Sequence, residues 1–151
     1  MKLKSLEETK NFSEKISNIL KAGDVIFLYG EIGVGKTTFV RFFVNSLEKK
    51  LGLKISDVLS PTFNIVYEYD VGKVKIQHYD LYRLENYGDI SQLAMFETFN
   101  NQIKIVEWPE LIETKPNDRI DILLEYSKST DARNVKISGF GKWENYKFDE
   151  I

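Results

Sequence analysis

The sequence contains no cysteine, which excludes disulfide bonds and thiolate metal sites. No apolar stretch approaches the roughly 20 residues that span a membrane, and the first residues lack the apolar core of a secretory signal. An excess of positive charge is also missing, since 21 lysines and arginines stand against 23 aspartates and glutamates. A protein that grips nucleic acid alone usually has such an excess. We therefore expect a soluble, cytoplasmic protein with no membrane contact, in which any nucleic-acid role runs through a partner.

The chain of 151 residues has the length of one domain and contains no repeat, low-complexity tract or linker. We expect a single domain over 1–151. Histidine is nearly absent as well, because His78 is the only one. Without a second imidazole His78 is a poor metal ligand, and we interpret it as a hydrogen-bonded strand residue.

One stretch dominates the sequence. Residues Gly30 to Thr37 form an unbroken G-x-x-x-x-G-K-T pattern, the phosphate-binding loop. The apolar run Val25–Tyr29 predicts a buried strand before it. Apolar residues at helical spacing predict a helix from Lys36 to about Lys50 after it. Strand, loop and helix together are the setting in which this pattern binds a nucleotide phosphate.

Each residue type in the loop has a physical role. Glycines let backbone N–H groups approach phosphate oxygens, and the start of the following helix adds further N–H groups and the positive end of its dipole. We expect Lys36 to reach the β- and γ-phosphates and the Thr37 hydroxyl to bind Mg²⁺. The N-K-x-D sequence that reads guanine is absent, which favours ATP. The predicted nucleotide-binding residues of the loop are Glu31, Ile32, Gly33, Val34, Gly35, Lys36 and Thr37.

Two further strands are predicted to end in a carboxylate. Phe63–Asp70 and Lys73–Asp80 read as a hairpin, and Asp80 either binds Mg²⁺ or orients the attacking water, or else caps the following turn. The apolar run that starts at Ile103 ends at Glu107, which we favour as a Mg²⁺-site acid over an ordinary strand-end acid.

The remaining predicted elements complete an alternation of helices and strands. Thr62 in the Ser56–Thr62 loop is either a hydroxyl that senses the γ-phosphate or part of a local turn, and the residues leave both open. The other predicted elements are helices at Ser5–Lys21 and Gly88–Asn100, strands at Arg119–Tyr126 and Asn134–Phe140, and a polar loop at Ser127–Arg133.

Four motifs, taken together, go beyond a general nucleotide-binding protein. They occupy Leu28–Phe39, Ser60–Phe63 (S-P-T-F), His78–Leu84 (H-Y-D-L-Y-R-L) and Val106–Pro109 (V-E-W-P). In this order and at these spacings the chain strongly resembles the bacterial TsaE family, formerly YjeE. This family is the small ATPase of the threonylcarbamoyladenosine modification of tRNA.

The resemblance implies a three-layer α/β/α P-loop fold, whose mostly parallel central sheet carries an antiparallel hairpin and edge strands. It implies binding of ATP and Mg²⁺ and slow hydrolysis by the chain alone. It also implies two partners, the TsaB and TsaD proteins, which transfer threonylcarbamoyl to tRNA. ATP turnover would reset that complex between rounds, so the chain would meet tRNA only indirectly.

The family's functional residues carry over onto matching positions. The catalytic set is Lys36, Asp80 and Glu107, and the metal set is Thr37, Asp80 and Glu107. Thr38 is expected on the phosphate side, and Thr9 and Arg133 align loosely with nucleotide-side positions. From the residues alone, Thr9 reads as an exposed helix threonine.

Three other functions compete with this interpretation. A small-molecule kinase would need an arginine-bearing lid, but the four arginines of the chain are scattered. For ATP hydrolysis no arginine finger is obvious, and Arg83, three residues after Asp80, is the nearest candidate. A GTP-dependent switch would need the missing guanine motif. A non-enzymatic module would use ATP only to order an aromatic surface between Phe63 and Phe99.

Overall fold

The computed structural model describes residues 1–97, 101–129 and 131–151. Within them, seven strands form one sheet. The strands are β1 (Lys2–Leu3), β2 (Val25–Tyr29), β3 (Val66–Val71), β4 (Val74–Asp80), β5 (Gln102–Glu107), β6 (Arg119–Tyr126) and β7 (Arg133–Phe140).

The central strands of the sheet are parallel. Their order across the sheet is β1-β7-β6-β2-β5-β4-β3, and β2 pairs in parallel with both β5 and β6, while β4 pairs in parallel with β5. β3, β7 and β1 are antiparallel to their neighbours. The continuous apolar sequence of β2 fits its central place, because such a strand is covered on both faces. The predicted P-loop fold with a hairpin and edge strands is confirmed.

Two helices cover one face of the sheet. They are α1 (Leu6–Ile19) and α2 (Lys36–Lys50). Ser5 caps α1 by accepting a hydrogen bond from the Glu8 N–H. Phe12 of α1 packs against Phe39 of α2 with ring centroids 5.6 Å apart, in the larger of two apolar clusters. The smaller cluster covers the opposite face and includes Phe27, so the sheet lies between two layers.

The predicted helix Gly88–Asn100 is wrong in its extent. The helix α3 covers Tyr87–Ser91 only, and turns follow it. Ala94 has φ 48°, a left-handed conformation that an α-helix does not continue through. The end of that prediction, residues 98–100, lies outside the described residues.

Three smaller differences concern strand ends. β3 begins at Val66 rather than Phe63, because Thr62 and Ile65 have positive φ and break the extended backbone. Arg133 lies in β7 and not in the preceding loop. β1 was not predicted, since two residues are too few for an alternating pattern.

Short 3₁₀ helices occur at Pro109–Leu111, Gly141–Trp143 and Phe148–Glu150. None of the helices in the described residues is long and apolar enough to cross a membrane.

Candidate nucleotide-binding site

The phosphate-binding loop connects β2 to α2, as the sequence predicted. Gly30 has φ 132°, and a Cβ there would lie 2.3 Å from the Leu124 carbonyl oxygen of β6. A side chain is therefore excluded by both conformation and space. Gly35, with φ 117°, precedes α2, so the first N–H groups of the helix point out of the helix end without intrahelical acceptors. This geometry suits an anion.

Lys36 lies beneath the loop with its ammonium group already surrounded. Its Nζ donates to the carbonyl oxygens of Gly30 (2.6 Å) and Glu31 (2.9 Å). It also lies 3.9 Å from the centroid of the Trp108 ring. Burial lowers the Lys36 pKa, and the nearby carboxylates, Glu107 foremost, oppose that shift. A bound phosphate would therefore replace these two carbonyl oxygens, rather than water, as the hydrogen-bond acceptor of the Lys36 ammonium group.

Glu107 is the centre of a buried hydrogen-bonded group. Its Oε1 accepts a hydrogen bond from the Thr37 hydroxyl (2.8 Å), and the His78 Nε2 lies 2.8 Å from the same oxygen. Glu107 is 2% exposed and His78 0% exposed. Because a carboxylate only accepts, Nε2 carries the proton, and among the described residues Nδ1 has no partner. His78 is thus a hydrogen-bonded strand residue that orients Glu107.

Asp80 lies beside Glu107, because the two residues are partners in the parallel pairing of β4 and β5. Its Oδ1 accepts a hydrogen bond from the Tyr82 N–H (3.0 Å), and its Oδ2 accepts one from the Ser60 hydroxyl (2.5 Å). The Ser60 Oγ in turn lies 2.8 Å from the Thr62 Oγ1. Asp80 therefore caps the turn after β4 and also faces the phosphate loop, so the two interpretations of this residue are compatible.

These side chains surround one open cavity of about 470 Å³ at the carboxyl ends of β2, β4 and β5. The structure brings Lys36, Thr37, Asp80 and Glu107 together there, with Ile32, Gly33, Gly35 and Thr38 from the loop and helix start. Glu31 takes part through its carbonyl oxygen, which holds Lys36.

A second cavity of about 520 Å³ lies on the other side of the loop and shares Gly33, Gly35 and Thr38 with the first. Thr9, Val34 and Arg133 line it. Arg133 donates from Nε to the Val34 carbonyl oxygen (2.9 Å), which ties β7 to the loop. The Thr9 hydroxyl donates to the Ser5 carbonyl oxygen within α1 (3.2 Å), so Thr9 is both a helix threonine and a cavity residue.

The donor set fits Mg²⁺ better than a softer metal. Within the described residues no group of three or more histidine, cysteine, aspartate or glutamate side chains could hold a metal ion. The cavity offers the Thr37 hydroxyl and the carboxylates of Asp80 and Glu107. Such an all-oxygen, partial set is typical of Mg²⁺ sites that phosphate oxygens complete.

The family model and the relatives that match this chain all point to one family. The family model described as "Threonylcarbamoyl adenosine biosynthesis protein TsaE" matches residues 3–135. The chain belongs to the TsaE family.

Several relatives match this chain over most of its length. A protein of Rickettsia prowazekii named "tRNA threonylcarbamoyladenosine biosynthesis protein TsaE" is 34% identical, over 97% of this chain and 96% of the relative. The protein of the same name from Aquifex aeolicus is 42% identical, over 89% and 92%. The crystal structure of Bacillus subtilis YdiB superimposes with a TM-score of 0.75 at 28% identity, over 99% of this chain and 90% of that one.

Several contacts of this site were not predicted from the sequence. The His78 contact with Glu107 required knowing which strands are neighbours, although the His78–Asp80 spacing already placed both on one strand face. The Ser60 contact with Asp80 joins residues 20 positions apart, and no local pattern signals it. Trp108 has φ 59°, which turns the chain sharply after β5 and brings its ring over Lys36.

Proposed function

We propose that this chain binds ATP with Mg²⁺ and hydrolyses it slowly, as the ATPase of tRNA threonylcarbamoyladenosine biosynthesis. The observation that carries the proposal is the convergence of Lys36, Thr37, Asp80 and Glu107 on one cavity beside a phosphate loop. Membership in the TsaE family supports the pathway.

ATP binding would begin with an exchange of partners at Lys36. Its ammonium group would leave the carbonyl oxygens of Gly30 and Glu31 for the β- and γ-phosphates. The N–H groups at the start of α2, including that of Thr38, would donate to the same phosphates. The second cavity, with Thr9 and Arg133, is the adjoining space for the nucleoside.

Mg²⁺, when bound, neutralises charge on the β- and γ-phosphates. Thr37 and Glu107 are the residues that would hold it, with Asp80 beside them. The Thr37 hydroxyl gives its hydrogen to Glu107, so its lone pairs are free to face a cation. His78 keeps the receiving carboxylate in place.

Hydrolysis needs a water molecule in line with the γ-phosphorus. The bond from the water oxygen to the γ-phosphorus forms, and the bond from that phosphorus to the bridging oxygen breaks and releases ADP. The water proton would pass to the Asp80 carboxylate or to an oxygen of the γ-phosphate. Asp80 would orient that water, because its carboxylate is fixed by the Ser60 hydroxyl and the Tyr82 N–H at the cavity wall. Lys36 would stabilise the charge that develops on the transferring oxygens.

The partners would be TsaB and TsaD, with tRNA reached through them. Three large apolar side chains lie exposed at the rim of the phosphate cavity or next to it: Ile32 (67%), Phe63 (76%) and Tyr82 (53%). An exposed rim of this kind suits contact with another protein. ATP turnover at the cavity would then be sensed where the partner binds.

Phosphate release from ATP tests the proposal, measured for the chain alone and with TsaB, TsaD and tRNA from the same source. We expect slow turnover alone, faster turnover in the assembly, and none for Lys36→Ala. A phosphorylated small molecule in place of free phosphate would indicate a kinase. Tight ATP binding with no turnover in either setting would leave a nucleotide-ordered adaptor and refute the catalytic roles.

A further inference from the structure

We infer that Arg83 is a catalytic arginine supplied by the chain itself, and that Phe63 holds it away from the phosphates in the resting state. The inference rests on the proposed ATP hydrolysis and adds a residue and a control step to it.

Arg83 is in the right place to reach a transferring phosphoryl group. It follows β4 by three positions, is exposed, and lines the same cavity as Lys36 and Thr37. Among the described residues it makes no hydrogen bond or ion pair that would fix it elsewhere. A guanidinium group is always charged and donates in a fork that matches two phosphate oxygens. Such an arginine is worth about 10³–10⁵ in rate in related phosphate-loop enzymes.

The resting contact of Arg83 is with an aromatic ring. Its guanidinium carbon lies 3.5 Å from the centroid of Phe63, whose side chain is 76% exposed. Phe63 contributes to neither apolar cluster of the described residues, so burial does not explain its position. A cation–π contact at an exposed site is weak, and a phosphate would compete with it effectively.

The loop that carries Phe63 is strained. Thr62 (φ 31°) and Ile65 (φ 67°) bracket it, and both are β-branched residues in a backbone region that such residues rarely adopt. The strain persists because Ser60 donates to Asp80, and because the Asp80 N–H donates to the Ile65 carbonyl oxygen (2.8 Å). Both of these hydrogen bonds involve Asp80, the residue that would face the attacking water. A change at Asp80 on nucleotide binding would be passed to the loop, would move Phe63 and would free Arg83.

The first test compares ATP turnover in Arg83→Ala, Arg83→Lys and Phe63→Ala with the wild type. Arg83→Ala should lower kcat at least about tenfold with little change in KM, because the arginine acts on the transferring group. Arg83→Lys should not restore the rate, since a lysine lacks the fork. Phe63→Ala should raise kcat, because the resting contact is lost.

A second arginine–phenylalanine pair in the chain offers matched controls for Arg83→Ala and Phe63→Ala. Arg119 also stacks on a phenylalanine, with its guanidinium carbon 3.8 Å from the Phe140 ring centroid, and it does not line the phosphate cavity. Arg119→Ala and Phe140→Ala should keep the kcat of the wild type, as long as circular dichroism shows that they fold.

Binding of ADP with Mg²⁺ and aluminium fluoride gives a readout apart from turnover, because this complex mimics the transferring phosphoryl group. Arg83→Ala should lose affinity for that complex at least about tenfold while it binds ADP alone as the wild type does. Equal affinity of the wild type and Arg83→Ala for the complex, together with equal kcat, would overturn the inference and leave the proposed function intact. No turnover by the wild type, alone or with TsaB and TsaD, would instead refute the proposed function. If Arg83→Ala is slow but Phe63→Ala equals the wild type, the resting role of Phe63 is wrong.

Discussion

The buried pair of His78 and Glu107 gives a stability prediction that needs no nucleotide. In His78→Leu the carboxylate of Glu107, 2% exposed, loses one of its two hydrogen-bond donors and keeps Thr37. Leucine is close to histidine in volume, so no sizeable cavity is created. A hydrogen bond to a charged group contributes about 1.5–3 kcal/mol, and the lost solvation of Glu107 is not recovered in the interior. We expect the free energy of unfolding to fall by about 2–3 kcal/mol.

The assay is denaturant unfolding with a chelator and without nucleotide. The midpoint should fall while the dependence on denaturant concentration stays the same. In thermal unfolding Tm should drop by roughly 4–12 °C, at about 2–4 °C per kcal/mol for a chain of this size. Gln77→Leu is the matched control, because Gln77 lies on the same strand and donates to a glutamate, Glu68, that is exposed. It should cost less than about 1 kcal/mol.

A double-mutant cycle isolates the pair. Glu107→Leu alone leaves His78 buried without its acceptor, whereas the double variant with His78→Leu removes both polar partners together. The two changes should therefore cost less together than the sum of their separate costs, with a coupling of about 1.5–3 kcal/mol. If the costs add to within about 0.5 kcal/mol, the contact does not stabilise the fold and the reasoning fails.

Three further predictions concern the loop and its lysine. Gly30→Ala should destabilise the chain by more than about 2 kcal/mol in the same unfolding assay, because its Cβ would meet the Leu124 carbonyl oxygen. Gly23→Ala is the control and should cost about 1 kcal/mol, because Gly23 also has a positive φ but has open space around it. Similar losses for the two variants would count against the clash at Gly30. Lys36→Met should abolish ATP binding in calorimetry. It should change the free energy of unfolding by less than about 1 kcal/mol, because burial of the ammonium group that it removes costs solvation energy. A larger loss of stability would show that Lys36 also stabilises the fold. ATP should change the fluorescence of Trp108, the tryptophan that remains in Trp143→Phe, because Lys36 leaves the Trp108 ring when it binds phosphate. It should not change the fluorescence of Trp108→Phe, in which Trp143 remains. A change from Trp143 instead would contradict the movement of Lys36.

The sequence predicted the fold where local patterns have a single physical meaning. The apolar run of β2, the glycine-rich loop and the helical spacing of α2 are read from neighbouring residues, and the structure has all three. The same holds for Asp80 and Glu107 as strand-end carboxylates that meet at one edge of the sheet. The contacts that orient them could not be predicted, because they join segments whose proximity depends on strand order.

Some of the predictions that failed concern residues near the phosphate cavity, such as the start of β3, and the backbone conformation there gives the reason. Thr62, Ile65 and Trp108 are three of the five positive-φ residues other than glycine in the described chain. Thr62 and Trp108 line the cavity, and Ile65 accepts a hydrogen bond from the backbone of the cavity residue Asp80. Propensity rules assume relaxed backbone, but a site must direct side chains where relaxed backbone would not. The strained conformations are held by neighbouring hydrogen bonds, such as that from the Asp80 N–H to Ile65. Ala94, by contrast, lies in the turns that follow α3 and does not line the cavity, so a positive φ by itself does not mark a cavity residue.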